Sequence, residues 1–415
     1  MSYALHSAGA PAAEKQVSLV GIGDTPNLDA FSRLRVSDID TIFDSGFQYD
    51  LQPLIYEAKV ANNGAITHDA DKVSALVAVA AQASSSAILQ SKQYHRYIPG
   101  KSQLIVMTQI VGTATANVVK RIGYFDAENG IFLEQNATTD LAIVRRTSVG
   151  AGTTDNRVVQ ADWNLDPLDG TGPSGLTLDL SKSSILVIDL QWLGMGRVRV
   201  GFDINGQIVY AHQFLNANVL DVPYMQTANL PIRWEVTGSA VGSLLATCAS
   251  VNSEGGADKF FGYQFAYNRA SVTAVNNTAT YAFSIRPKAT FNSITNRMWI
   301  RPMAFDCLVT GNAPVLMEIY YGTTIGGTPS WGDMNTTYSG LQVDTAGSPS
   351  GGVKVAQVYI AATAQNKGES SRLFSARYPL TLDVAGTGYN HMTVYVTGVG
   401  ADSACRPGLS WEEVR

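Results

Sequence analysis

Hydrophobic and polar positions alternate most clearly between Ile185 and Phe214. The run Ile185 to Leu190 is too short to span a membrane and suits a buried strand. After a bend flanked by Gly194 and Gly196, Val198, Val200, Phe202 and Ile204 alternate with Arg197, Arg199, Gly201 and Asp203. That is the period of a strand with one buried face. Asn205-Gly206 follows, a dipeptide suited to the type I′ hairpin turn because both positions need positive φ. Gln207 to Phe214 is the expected return strand. A two-residue loop would set Arg199 opposite His212 and Arg197 opposite Phe214, a cation–aromatic patch on the outer face. The pattern predicts the central hairpin of an antiparallel β-sandwich.

Similar signals recur along the chain. Thr41 to Asp50 reads as the first strand, and Gln103 to Thr108 as another. Arg121 to Asp126 and Gly130 to Gln135 read as a hairpin across Ala127-Glu128-Asn129. Val73 to Ala83 is ambiguous: its alanines favour helix, but Val73, Ala75, Val77 and Val79 alternate, and strand is the reading adopted. Leu230 to Val236 and Ser243 to Ser250 complete a sandwich. Residues 149–176 lack periodicity and read as a long loop, as does the Gly/Thr/Ser-rich stretch from Gly322 to Gly352. Residues 27–34 fit either a short helix capped by Asn27 or an extended arm. A composition shift at Val251 to Lys259 marks a boundary. Beyond it Tyr281, Phe283 and Ile285, then Val353 and Val355, then Met392, Val394 and Val396 alternate again. Trp411, close to the last residue, predicts a docked terminal segment. The expectation is an all-β chain: an N-terminal arm over 1–45, a β-sandwich over 46–255 and a smaller one over 256–415.

Composition sharpens this picture. Charged residues are 15% of 415, with 38 glycines, the profile of a turn-rich β protein whose surfaces other subunits cover. The net charge of −5 argues against nucleic-acid binding. Cys248, Cys307 and Cys405 are widely spaced and read as free thiols rather than a disulfide or zinc framework. The first sixteen residues lack the basic region and apolar core of a signal peptide, and no stretch is long enough for a membrane helix. The sequons at Asn136, Asn276 and Asn335 then read as chance matches.

Candidate chemistry is sparse. Asp126 and Glu128 could supply the two carboxylates of a glycan hydrolase, but hairpin-turn duty is the preferred reading. His6, His68, His95, His212 and His391 are scattered without metal-ligand spacing. Gly194-Met195-Gly196 lacks the third glycine and helix of a nucleotide loop. Trp163, Trp331 and Tyr338 could stack on sugars, with packing the preferred role. Tyr94, His95, Arg96 and Tyr97 form a polar-aromatic cluster of the kind enriched in interfaces. No catalytic residue, cofactor or metal is expected.

Three stretches carry a resemblance. One is Ala30 to Ser37 with Ile42-Phe43-Asp44-Ser45. Another is Tyr97 to Ser102 leading to Phe125-Asp126 and Asn129-Gly130. The third is Gly196 to Arg199 through His212-Gln213-Phe214 and Asn229 to Arg233. Together they are similar to a family of structural proteins of tailed bacteriophages; Ser284 to Lys288 and Leu409 to Arg415 resemble its second half. The resemblance implies a lectin-like (concanavalin-like) jelly roll followed by a smaller β domain, with no catalytic residues to carry over. It implies a virion component made in the host bacterial cytoplasm, a trimer or hexamer on the tail, collar or baseplate, touching other virion proteins but neither nucleic acid nor membrane. Capsid decoration or a head fibre is one alternative, and a glycan-binding, host-recognising module another. The residues expected to make interactions are Phe31, Arg33, Arg35, Tyr94, Arg96 and Tyr97.

Overall fold

In a computed structural model the described residues are 25–137, 140–150, 152–256, 262–362, 367–370 and 378–415. They are β throughout, the one helical element among them being the 3-10 turn Gln160–Asp162. The expected arm lies outside them up to residue 24, as does part of the expected boundary, at 257–261.

The chain folds first into an antiparallel jelly-roll β-sandwich. One sheet runs, edge to edge, Gln207–Phe214, Val198–Ile204, Ser183–Leu190, Ser102–Ile110, Gly242–Glu254, Ser74–Val79 and Ala65–Asp69. Ile39–Gly46 pairs with the second half of Gly242–Glu254. The facing sheet runs Thr154–Val159, Asp140–Thr147, Gly130–Asn136, Val118–Phe125, Ile232–Gly238, Ser85–Ser91 and Tyr56–Ala61. The alternating positions explain the core between them. Leu186, Ile188, Val198, Val200 and Phe202 face Ile122, Tyr124, Leu133, Trp234 and Val236, all buried. Trp234 is enclosed by the rings of Phe47 and Tyr56, at centroid distances of 5.9 and 6.0 Å.

A smaller sandwich follows. Its five-stranded sheet contains Tyr263–Asn268, Ser403–Val414, Trp299–Val309 and Lys367–Ser370, with Val272–Ala274 on Ser403–Val414. Its six-stranded sheet runs Gly332–Asp333, Leu341–Asp344, Thr280–Pro287, Met392–Gly398, Val315–Tyr321 and Val353–Ile360. The last strand is central rather than peripheral, and Trp411 is fully buried. Glu413, also fully buried, accepts Ser339 Oγ at 2.6 Å, Trp411 Nε1 at 2.9 Å and the Gly340 N–H at 2.7 Å. These bonds fasten the 338–340 loop to the terminal strand. Cys307 and Cys405 are buried in this core, Cys248 is half-buried in the first sandwich, and all three are free thiols.

Several expectations are corrected. The hairpin at 198–214 sits at a sheet edge, not its centre. Its Asn205-Gly206 turn has the expected positive φ values, 54° and 81°. Between Val200 and Gly201, however, the register slips by one residue, so Arg199 faces Gln213 and Val198 faces Phe214. A bulge of this kind inserts one residue on one strand and bends it. Residues 27–34 form no helix: Asp29 Oδ1 accepts the N–H groups of Phe31 and Arg33 at 2.9 and 2.8 Å, an Asx-type turn that competes with helix formation. The supposed loop at 149–176 contains the edge strand Thr154–Val159, whose polar sequence hid its pairing with Asp140–Thr147. Short strands also interrupt the 322–352 stretch, at Thr324–Gly326, Gly332–Asp333, Leu341–Asp344 and Ser348–Ser350.

Gly201 permits the close approach at the bulge. A Cβ there would lie 2.2 Å from the Val209 carbonyl oxygen and 2.6 Å from Tyr210 Cα, both backbone atoms. Gly201→Ala should therefore prise the hairpin apart and cost about 1–3 kcal/mol. Urea unfolding checks this, and an unchanged midpoint would contradict it.

Candidate functional site

The expected interaction residues separate into two groups. Phe31, Arg33 and Arg35 belong to the segment that crosses the outer face of the first sandwich. Here Asp189 is fully buried and gathers four partners. Its Oδ2 accepts Arg35 Nη2 at 2.7 Å, Tyr210 OH at 3.0 Å and Arg199 Nη2; its Oδ1 accepts Ser102 Oγ at 2.8 Å. Arg199, also fully buried, lies 4.2 Å over the Tyr210 ring and donates to the Leu28 carbonyl at 2.6 Å. Arg35 Nε meets Glu254 at 2.8 Å. Burial tends to depress the Arg35 pKa, but Asp189, Tyr210 and Glu254 outweigh it and leave it raised. Burial drives the Tyr210 hydroxyl upward, and the Asp189 charge adds to the effect. Arg199 therefore does face outward, as the alternation implied, but the N-terminal segment covers it. Period-2 patterning assigns a face without saying what lies on it.

Arg33 is half exposed, chelates Asp29 and stacks 4.5 Å over Phe31. Its Nη1 donates to Gly100 O at 3.2 Å, which brings this segment to the turn that follows Tyr97. The expected arm boundary at 45 falls inside the strand Ile39–Gly46.

The second group lies where the two sandwiches meet. Tyr94 is 1% exposed, and the guanidinium of Arg297, from the second sandwich, sits 4.6 Å above its ring. Tyr97 is buried as well; its N–H donates to Asn229 Oδ1 at 3.0 Å and its ring meets Trp192 edge-on at 5.9 Å. Arg35, Tyr94 and Tyr97 thus make contacts within the chain. The half-buried Arg96 lines a hollow of about 610 Å³ with Tyr97 and Trp192. Beside it lies a cavity of about 240 Å³ that shares Gln226, Thr227, Asn229 and Arg415. Other links tie the same seam. Glu57 accepts the Val384 N–H at 3.0 Å, Glu128 accepts Thr295 Oγ1 at 3.3 Å, and Leu54 packs into the second core. Burial raises the Glu57 pKa against the opposing pull of the Val384 N–H, and burial lowers that of Lys92.

Asp126 and Glu128 line the smaller cavity, but as turn and seam residues. Asp126 Oδ1 accepts the N–H groups of Glu128 and Asn129, both at 2.8 Å. Arg297 and Gln226 were not singled out from the sequence, and Asn229 only as part of the stretch Asn229 to Arg233; no spacing announces a cavity assembled from distant loops. Trp163 is in the core, Tyr338 is 64% exposed, and Trp331 stacks on His391 at 5.4 Å with Arg286 4.0 Å from its ring. Among the described residues no cluster of His, Cys, Asp and Glu is arranged to hold a metal ion.

No protein-family model and no curated protein matches the chain. Solved structures share the β-sandwich at low similarity. A carbohydrate esterase from Shiga toxin-encoding bacteriophage phi24B is 12% identical, covering 52% of this chain and 100% of its own, at TM-score 0.32. A legume lectin-like domain from Entamoeba histolytica is 11% identical over 53% and 100%, at 0.31. The CBM2 module of the evolved Dit of Lactobacillus casei BL23 phage J-1 is 10% identical over 54% and 99%, at 0.34. Likeness at this level says nothing about what the chain does.

Proposed function

We propose that the chain is a non-enzymatic structural component of a tailed-phage virion, assembling as a homo-oligomer on the tail, collar or baseplate. The observation that carries this reading is the buried anchorage of residues 28–35 through Arg35, Asp189 and Arg199. An anchored segment gives the chain before it a fixed departure point, which suits attachment to a neighbouring subunit. Next to the anchor, Leu34, Val36 and Ile39 are 51, 84 and 58% exposed, apolar surface of the kind that partners cover. The resemblance to phage structural proteins supports the same reading. The N-terminal arm, expected over 1–45, is then the attachment element, with its residues 28–35 fixed on the first sandwich, and the two sandwiches form the body of each subunit. Deleting residues 1–24 should abolish incorporation into particles while leaving the thermal unfolding of the purified protein unchanged. Incorporation of the truncated chain at full copy number would overturn the attachment role. Hundreds of copies per particle would move the protein from the tail axis to the capsid.

A further inference from the structure

We propose that the cavity between the two sandwiches binds a neutral oligosaccharide, a role beyond the structural one above. The first argument is chemical. Two carboxylates (Asp126, Glu128), a guanidinium (Arg297) and the amides of Gln226 and Asn229 converge on a space of about 240 Å³. Each is a planar fork with two neighbouring donors or acceptors. Adjacent hydroxyls of a pyranose offer the complementary pairs, each hydroxyl donating once and accepting twice. With Arg415 also on the wall, groups of both charge signs border the space. Phe291, Ile294 and Met298 supply an apolar wall for the C–H face of a sugar ring.

The second argument is an incompletely satisfied cation. The Arg297 side chain is 10% exposed; its Nη1 donates to the Asp383 carbonyl at 3.1 Å, but its Nε has no hydrogen-bond partner. Asp126 Oδ2 stands 3.9 Å from that nitrogen, beyond hydrogen-bond reach. Leaving a buried donor unpaired costs about 1–3 kcal/mol, more for a charged group. A ligand hydroxyl that donates to Asp126 Oδ2 sits beside the Arg297 charge, whose Nε is itself enclosed by protein atoms. Asp126 and Arg297 come from different sandwiches, so such a ligand also fastens the seam. The adjoining hollow, with Trp192 on its wall, gives a chain of sugars room to continue.

Asp126 Oδ1 is held by its own turn, which leaves Oδ2 towards the ligand. Saturation-transfer NMR on the full chain with maltotetraose, cellotetraose, chitotetraose and mannotetraose tests this, with trigalacturonate as the charged comparison. At least one neutral tetrasaccharide should take up saturation and raise the thermal midpoint. Phe291→Ala and the exposed Gln226→Ala should each weaken that binding at least tenfold. Asp203→Ala, on the distant hairpin, should leave it unchanged. No binding by any neutral probe, binding that survives both substitutions, or binding of trigalacturonate alone would each overturn the proposal. None of these outcomes bears on particle incorporation, so the structural role is judged separately.

Discussion

Asp189→Ala should lower the stability of the first sandwich by about 3–5 kcal/mol, the cost of breaking a buried ion pair from one side. Two guanidinium groups, Arg35 and Arg199, converge on this carboxylate with Tyr210 and Ser102. Removing it takes from Arg199, fully buried, the carboxylate that its Nη2 meets. Arg35 keeps Glu254 but loses the carboxylate it shares with Arg199. The loss should therefore be local as well as global: residues 28–36 lift from the sheet, and Arg33 and Arg35 become open to trypsin. The double variant Asp189→Leu, Arg199→Met should recover much of the loss, because apolar replacement of both partners removes the desolvation cost along with the attraction. Urea unfolding together with limited proteolysis measures both effects. A change below about 0.5 kcal/mol with residues 28–36 still protected would show that the network does not anchor the segment.

Acid should destabilise the protein from about pH 6.5 downward through its buried histidines. Burial holds the pKa of His95 at about 3, and those of His212 and His391 at about 4 each. His95 is fully buried, Nδ1 donating to the Leu230 carbonyl at 3.0 Å, between the rings of Phe43 and Tyr124. Each imidazole is neutral in the fold, while the unfolded chain takes up its proton near pH 6.5. The unfolded state therefore binds more protons below that pH. The contribution is complete above pH 6.5 and is lost as the pH falls from there towards 4 and 3. At about 1.4 kcal/mol per unit, His95 alone removes about 3 kcal/mol by pH 4. His95→Phe should flatten the slope of stability between pH 6.5 and 4, whatever its packing cost at pH 7. The Leu230 carbonyl keeps the residue 95 N–H at 2.9 Å, so this substitution orphans no acceptor. Equal slopes in the two proteins would contradict the assignment.

Much of the fold was legible because it rests on period-2 alternation and turn chemistry. Val198, Val200 and Phe202 point into the core, Asn205-Gly206 makes the turn, and Trp411 is buried as expected. What escaped notice depends on long-range contact. The bulge at Gly201 is a one-residue slip that no local pattern marks. Thr154–Val159 is polar because an edge strand needs only one partner, so it looked like loop. Arg199 read as surface because charge in an alternating strand usually means solvent; its carbonyl partner is Leu28, and Arg35 shares its carboxylate Asp189, both more than 160 positions earlier. The cavity was the least legible feature. Its walls come from the 126–128 turn, the 226–229 loop, the 291–298 hairpin and Arg415, and only the docking of two sandwiches brings them together.

The assembly of copies into a closed homo-oligomer is most directly tested by light scattering on the full-length protein across a concentration series, repeated on residues 25–415. A constant mass of three or six chains for the full-length protein is the expected result. The same mass for the truncated chain would place the subunit contacts on the sandwiches and leave residues 1–24 for attachment to the particle. A single-chain mass for the full-length protein at every concentration would contradict the account.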